Sequence, residues 1–237
     1  MIRRILLALG LLIGATGALI LFPQPLFAYS MTHGQFQIWS DRPIDPRMAV
    51  VLDDARRRIE MSELYDPDAT FRIFLCNEPW RLLLLARSSQ VGGSADTLLT
   101  GNIYLREADI AANRIVPPEG ELADAETRPL SYFIAHEATH VMQSRAFGGL
   151  LEVRYPDWLT EGYADHIGKG RSFDLNENAR LMRDGDPRLD YARSGLYRRY
   201  HLLVAFLMER EGQTIRALFE NPPDRSQVEA RVVNALL

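Results

Sequence analysis

The stretch "YFIAHEATHVMQ", residues 132–143, sets two histidines four positions apart with a glutamate directly after the first. At about 100° per residue, Leu130, Ile134, Ala138 and Val141 make one apolar stripe, and His136 and His140 fall on nearly the opposite side. The spacing predicts a two-faced helix, with Thr127 as N-cap, Pro129 in the first turn and Gly148–Gly149 as its stop. Residues at i and i+4 lie one turn apart, so both imidazoles can point at a single ion, with Glu137 placed to take a proton from water. The same residues also suit the polar side of an ordinary amphipathic helix, and a third ligand decides between the two.

Downstream, "PDWLTEGYADHI", residues 156–167, reads as a second helix with Asp157 as N-cap. Glu161 and Asp165 share one side of it, and Leu159, Tyr163 and Ile167 share another. Gly162 and Ala164 would keep the backbone close to the first helix. Two histidines and Glu161 would leave one position of a tetrahedral zinc open, and Asp165 could accept the second ring N–H of a ligating histidine.

"HEATH" followed, after twenty intervening residues, by the glutamate of "WLTEGYAD" resembles the gluzincin branch of the zincin metallopeptidases. The resemblance spans residues about 130–168. It implies a zincin-like domain with His136, His140 and Glu161 as Zn2+ ligands, Glu137 as general base and Asp165 in support of a ligand. It also implies a peptide or protein substrate, bound along an edge strand for which "GNIYL" (101–105) is the candidate. Residues 191–212 resemble the helix after the last ligand in aminopeptidase-like gluzincins; Tyr197 best fits the catalytic tyrosine that stabilises an oxyanion, with Tyr191 and Tyr200 as rivals. A G-x-M-E-N exopeptidase signature is absent, so the resemblance carries no preference for a free amine. Two other functions share this pattern: a non-catalytic zincin-fold scaffold, and a metal-free interaction domain.

Working outward, the rest of the chain sets the frame. With 47% hydrophobic and 24% charged residues it can bury a core of its own, and a net charge of −4 argues against nucleic acid as partner. Residues 5–22 run eighteen positions without a charge behind Arg3 and Arg4. That length predicts a single N-terminal membrane segment within 1–28, with a domain at 29–237 on the extracytoplasmic side. The alternative is a signal peptide cut after Ala28, although Leu26 suits such a site poorly.

Alternation predicts a strand at 34–40, then a helix at 46–64 and strands at 70–76 and 98–105. A short helix from Glu78 and a glycine-containing loop at 90–98 lie between the last two strands, and a loop follows at 115–129. Strands first and helices after predict an α+β fold, a small mixed N-terminal sheet followed by a mostly helical half. Cys76, the single cysteine, reads as a buried strand residue; His33, His166 and His201 read as structural, and Arg56–Arg58 as a solvated helix edge.

Overall fold

Apart from Arg72, residues 71–76 are apolar on both faces of the strand, and the central strand of a covered sheet has that composition. The computed structural model describes residues 2–170 and 173–236, and places Phe71–Cys76 (β3) at the centre of a five-stranded sheet. The strands are Tyr29–His33 (β1), Phe36–Ser40 (β2), β3, Gly93–Ala95 (β4) and Asn102–Arg106 (β5), in the order β1-β2-β3-β5-β4. β2, β3 and β5 are mutually parallel, and β1 and β4 run antiparallel at the two edges. Parallel neighbours need crossovers. Met48–Ile59 (α2) supplies the first, between β2 and β3, and Pro79–Ala86 (α3) lies in the second, between β3 and β5.

Each face of the sheet is closed differently. Ile73, Leu75, Ile103 and Leu105 join the main core with α2 and the histidine helix. On the reverse face Phe74, Cys76 and Tyr104 pack under Leu82 and Leu85 of α3, with Phe27 and Trp39 beside them. Cys76 is buried there, and burial pushes its thiol up to about 12, so it is an inert core residue as expected.

Two small strands, Ala108–Asp109 (β6) and Arg114–Ile115 (β7), lead to the histidine helix Leu130–Phe147 (α4). Helices then follow one another: Leu151–Arg154 (α5), Asp157–Lys169 (α6), Leu175–Arg183 (α7), Tyr191–Ser194 (α8), Arg198–Ala205 (α9), Ile215–Glu220 (α10) and Arg225–Leu236 (α11). The fold is α+β, a small mixed sheet followed by a helical half, as the sequence predicts.

Several local expectations change. Thr127 does not cap α4; it ends a 3₁₀ turn, and Asn113 takes over the role from β7's hairpin. Its carbonyl accepts from the Leu130 N–H at 2.8 Å and its side chain from the Ser131 N–H at 3.1 Å. Pro156, not Asp157, is the residue before α6. The helix expected over 191–212 is interrupted: Gly195 at φ 65° ends α8, and α9 runs on into a π-helical turn at Phe206–Arg210. Gly162 faces α9 rather than α4, since a Cβ there would stand 2.5 Å from the Tyr200 carbonyl oxygen. Arg58 is no solvated edge; it donates to the Gly168 carbonyl and ties α2 to α6.

The edge strand is also displaced. The stretch 101–105 lies inside the sheet, between β3 and β4, and the open edge belongs to β4, in the segment read as a loop. At the N-terminus Ile2–Leu21 (α1) is helical. The membrane segment expected at 5–22 falls partly on side chains outside the described ones, and among the described residues no helix is long and apolar enough to cross a membrane.

Candidate metal centre

α4 is buried almost all round, so its polar stripe is not a solvated face. It lies between the open edge of β4 and helix α6, where a buried polar group needs a partner. His136 and His140 point across this gap to Glu161, on the second turn of α6. The His136 Nε2 stands 3.2 Å from the His140 Nε2 and 3.2 Å from the Glu161 Oε2, and the third side, His140 Nε2 to Glu161 Oε2, is 3.4 Å. These three side chains could hold a metal ion.

The outer nitrogens of the two rings are already engaged, which fixes the tautomers. His140 Nδ1–H donates to Gln143 Oε1 at 3.1 Å, and Gln143 Nε2 donates in turn to the Thr160 carbonyl at 2.9 Å, binding α4 to α6. His136 Nδ1 faces the Tyr132 hydroxyl at a long 3.5 Å, and that hydroxyl donates to Asp165 Oδ1 at 2.6 Å. Both Nε2 atoms are therefore turned inward. The direct bond from a candidate ligand to Asp165 expected from the sequence is not formed; Tyr132 stands between them.

Asp165 is fully buried and bonded on its other oxygen, 2.9 Å from Lys169 Nζ and 3.1 Å from His201 Nδ1. Burial alone would raise its carboxyl, but the Lys169 charge and the His201 hydrogen bond outweigh that and hold it well below the usual carboxylate range. Burial likewise presses the His140 ring towards neutral, yet the adjacent Glu161 carboxylate prevails and pushes it up to about 9. Glu161 is held far below its ordinary range: burial opposes this, and the charges of the two histidines overcome it.

Glu137 sits beside this triangle, 7% exposed, its carboxyl raised by burial against the pull of His136 and His140. β4 passes directly over it. A Cβ on Gly93 would fall 2.8 Å from Glu137 Oε1, so only glycine allows the strand this approach, and the backbone N–H of Ala95 reaches the carboxylate. A cavity of about 540 Å³ opens along β4 and reaches all four of these side chains.

Tyr197 lines it too, stacked on the His136 ring at 5.8 Å between centroids, with Tyr191 stacked on Tyr197 at 4.9 Å. Burial, then the Glu161 charge, raise the Tyr197 hydroxyl far above a free phenol, so it stays a proton donor. Tyr200 packs under Arg225 and is not on the cavity wall.

Tyr132 and Gln143 are the parts of the centre that sequence reasoning missed, along with His201 behind Asp165. Their signal was present: Tyr132, His136, His140 and Gln143 follow one another at i+4, i+4 and i+3 along the same stripe.

The fold and site define a class: an α+β chain carrying a candidate two-histidine, one-carboxylate metal centre under a sheet edge. Neither a protein-family model nor a curated protein matches the chain.

Proposed function

We propose that this chain is a zinc-dependent hydrolase of peptide bonds, of the gluzincin kind that residues 130–168 resemble. The observation that carries the reading is the donor triangle. Three donors held about 2.0–2.1 Å from a tetrahedral zinc stand about 3.3 Å from one another, and these stand 3.2, 3.2 and 3.4 Å apart. Two nitrogens and one carboxylate oxygen also match zinc's ligand preference and leave one position open. A zinc ion bound there would acidify a water and polarise a carbonyl oxygen.

Glu137 is the base that takes the proton, and its raised carboxyl suits it to pass that proton on to a leaving amine. The peptide lies along β4. Because Asp96 and Gly92 make the ladder bonds to Asn102 and Arg106, the backbone groups of Gly93 and Ala95 point away from β5 towards the cavity. An extended substrate can pair with them as an added strand. Tyr197 is the donor proposed to meet the developing oxyanion, with Tyr191 next to it.

Zinc content and hydrolysis of a mixed peptide library test this reading together. Glu137→Gln should keep zinc and lower turnover by about 10²–10⁴-fold, whereas Glu161→Ala should lose the zinc itself. Activity that survives Glu137→Gln would refute the mechanism.

The apolar stretch 5–22 behind Arg3 and Arg4 supports membrane anchoring, with the catalytic domain outside the cytoplasm. Full-length protein should then stay with membranes through a high-salt wash, and a mature chain beginning at Tyr29 would establish the cleaved form instead.

A further inference from the structure

Many arginines of this chain meet carboxylates: Arg42, Arg47, Arg58, Arg81, Arg198 and Arg199 all form ion pairs. Two arginines on the wall of the metal-centre cavity do not. Arg106, at the end of β5, is only 8% exposed, and no carboxylate pairs with it among the described residues. Its Nη1 makes two long bonds, 3.4 Å and 3.3 Å, to the carbonyls of Gln90 and Val91, and its Nε is buried with no partner among the described residues. The neighbouring Glu107 is committed elsewhere, 2.6 Å from Arg42.

Arg128, which is partly exposed, repeats part of the pattern. Its Nη1 makes one long bond, 3.4 Å, to the Ala123 carbonyl, its Nε is buried with no partner among the described residues, its guanidinium lies over the rings of Tyr132 and Phe133 at 5.5 Å and 5.0 Å, and it too has no ion pair among the described residues. Both arginines line the cavity that holds Glu137 and the candidate ligands. Gly92 lies between them: the backbone N–H of Arg106 bonds the Gly92 carbonyl at 3.2 Å, and a Cβ on Gly92 would stand 2.5 Å from the Phe133 ring under Arg128. A buried cation with unused donors is costly unless something supplies the opposite charge.

We propose that Arg106 and Arg128 form a carboxylate-binding subsite of this cavity, which selects peptides carrying an acidic group near the bond attacked. The proposal deepens the peptide-hydrolase reading and rests on it for the nature of the ligand. Guanidinium donors form a planar fork that matches a carboxylate bidentately. The position follows from the chain: the carbonyls that hold Arg106 come two and three residues before Gly93, which abuts Glu137. A peptide advancing about 3.3 Å per residue alongside β4 would bring its second or third residue from the attacked bond to Arg106. The carboxylate can come from an Asp or Glu side chain or from the chain's own C-terminus.

Four fluorescent hexapeptides test this on full-length Glu137→Gln protein, by anisotropy: glutamate or glutamine at the scanned position, each with a free or an amidated C-terminus. The acidic partner should bind about 10–100-fold more tightly than its neutral counterpart. Whether the glutamate or the free terminus carries the preference identifies the source. Arg106→Gln and Arg128→Gln should each bring the ratio towards one, and Arg106→Lys, which keeps the charge but not the fork, should retain part of it.

Acidic and neutral peptides bound alike, or a preference that survives both glutamine substitutions, would overturn the subsite. Hydrolysis of neutral and acidic peptides at one rate by the unsubstituted protein would also overturn it while leaving the hydrolase standing. An arginine-dependent preference in binding with no hydrolysis of any peptide would support the subsite and remove the hydrolase.

Discussion

Glu161 and Asp165 lie one turn apart on the same side of α6, and their surroundings divide sharply. The Asp165 side chain is 1% exposed, with Lys169 at 2.9 Å, His201 at 3.1 Å and the Tyr132 hydroxyl at 2.6 Å. Its charge is balanced from within the protein. The Glu161 side chain is 25% exposed, faces a cavity, and meets the inner nitrogens of two imidazoles. Among the described residues no lysine or arginine forms an ion pair with it. One carboxylate therefore anchors α6 to its neighbours, whereas the other, among the described residues, is left to a proton on a histidine or to a cation from outside. The comparison teaches that what marks a candidate metal centre is less the presence of a carboxylate than the absence of an internal counter-charge.

Removing each carboxylate in turn should break the comparison if it is mistaken. Asp165→Asn takes away the negative charge that balances buried Lys169, and breaking a buried pair in this way costs about 3–5 kcal/mol. Glu161→Gln, in metal-free protein above about pH 9, where the His140 ring is neutral, should cost only about 1 kcal/mol, the worth of an ordinary hydrogen bond. Denaturant unfolding of the two variants measures both, and equal losses would mean that Glu161 is structural as well.

Tyr132 joins the two regions, since its hydroxyl stands between Asp165 and His136. Tyr132→Phe should weaken metal binding about 10–100-fold, the usual effect of losing a group that orients a ligating histidine. A competition titration against a chelator of known affinity reads the change, and an unaltered affinity would confine Tyr132 to packing.

The smallest effect is that of pH. In metal-free protein the His140 ring is pushed up to about 9, whereas in the unfolded chain it titrates near about 6.5. Between those values the folded state holds a proton that the unfolded state has lost. The stability it contributes is fully present below about pH 6.5 and disappears as pH rises through about 9. Metal competes for the same nitrogen, so affinity should climb by about tenfold per pH unit across this window, with one proton released. Calorimetry in buffers of different ionisation enthalpy counts that proton. Glu161→Gln, which removes the cause of the shift, should bring the His140 ring of the metal-free protein back towards its ordinary range, read by NMR titration of that imidazole.

Much of this arrangement is legible in the sequence because it depends on periodicity within single elements. The 3.6-residue repeat puts His136 and His140 on one stripe and Glu161 and Asp165 on another, and alternation marks β2 and β3. Other features depend on what an element meets. "QVGGSADTL" reads as a loop because its glycines carry no strand signal, yet Gly93 is there to let the sheet edge pass over Glu137. Asn113 caps α4 from seventeen residues upstream of Leu130, beyond the reach of any local capping pattern. The direct bond from Asp165 to a ligand histidine failed because the side chain of Tyr132 fills the space between the helices.

By itself the sequence determined the α+β order of elements, the inert Cys76, the two helix faces and the residues able to meet at a metal, since each follows from local spacing or composition. Only the tertiary structure decided which strand forms the open edge, that the polar stripe of α4 is buried rather than solvated, and that Lys169 answers Asp165 while, among the described residues, no lysine or arginine pairs with Glu161. Those outcomes depend on distances between elements far apart in the chain, and packing, not periodicity, fixes such distances.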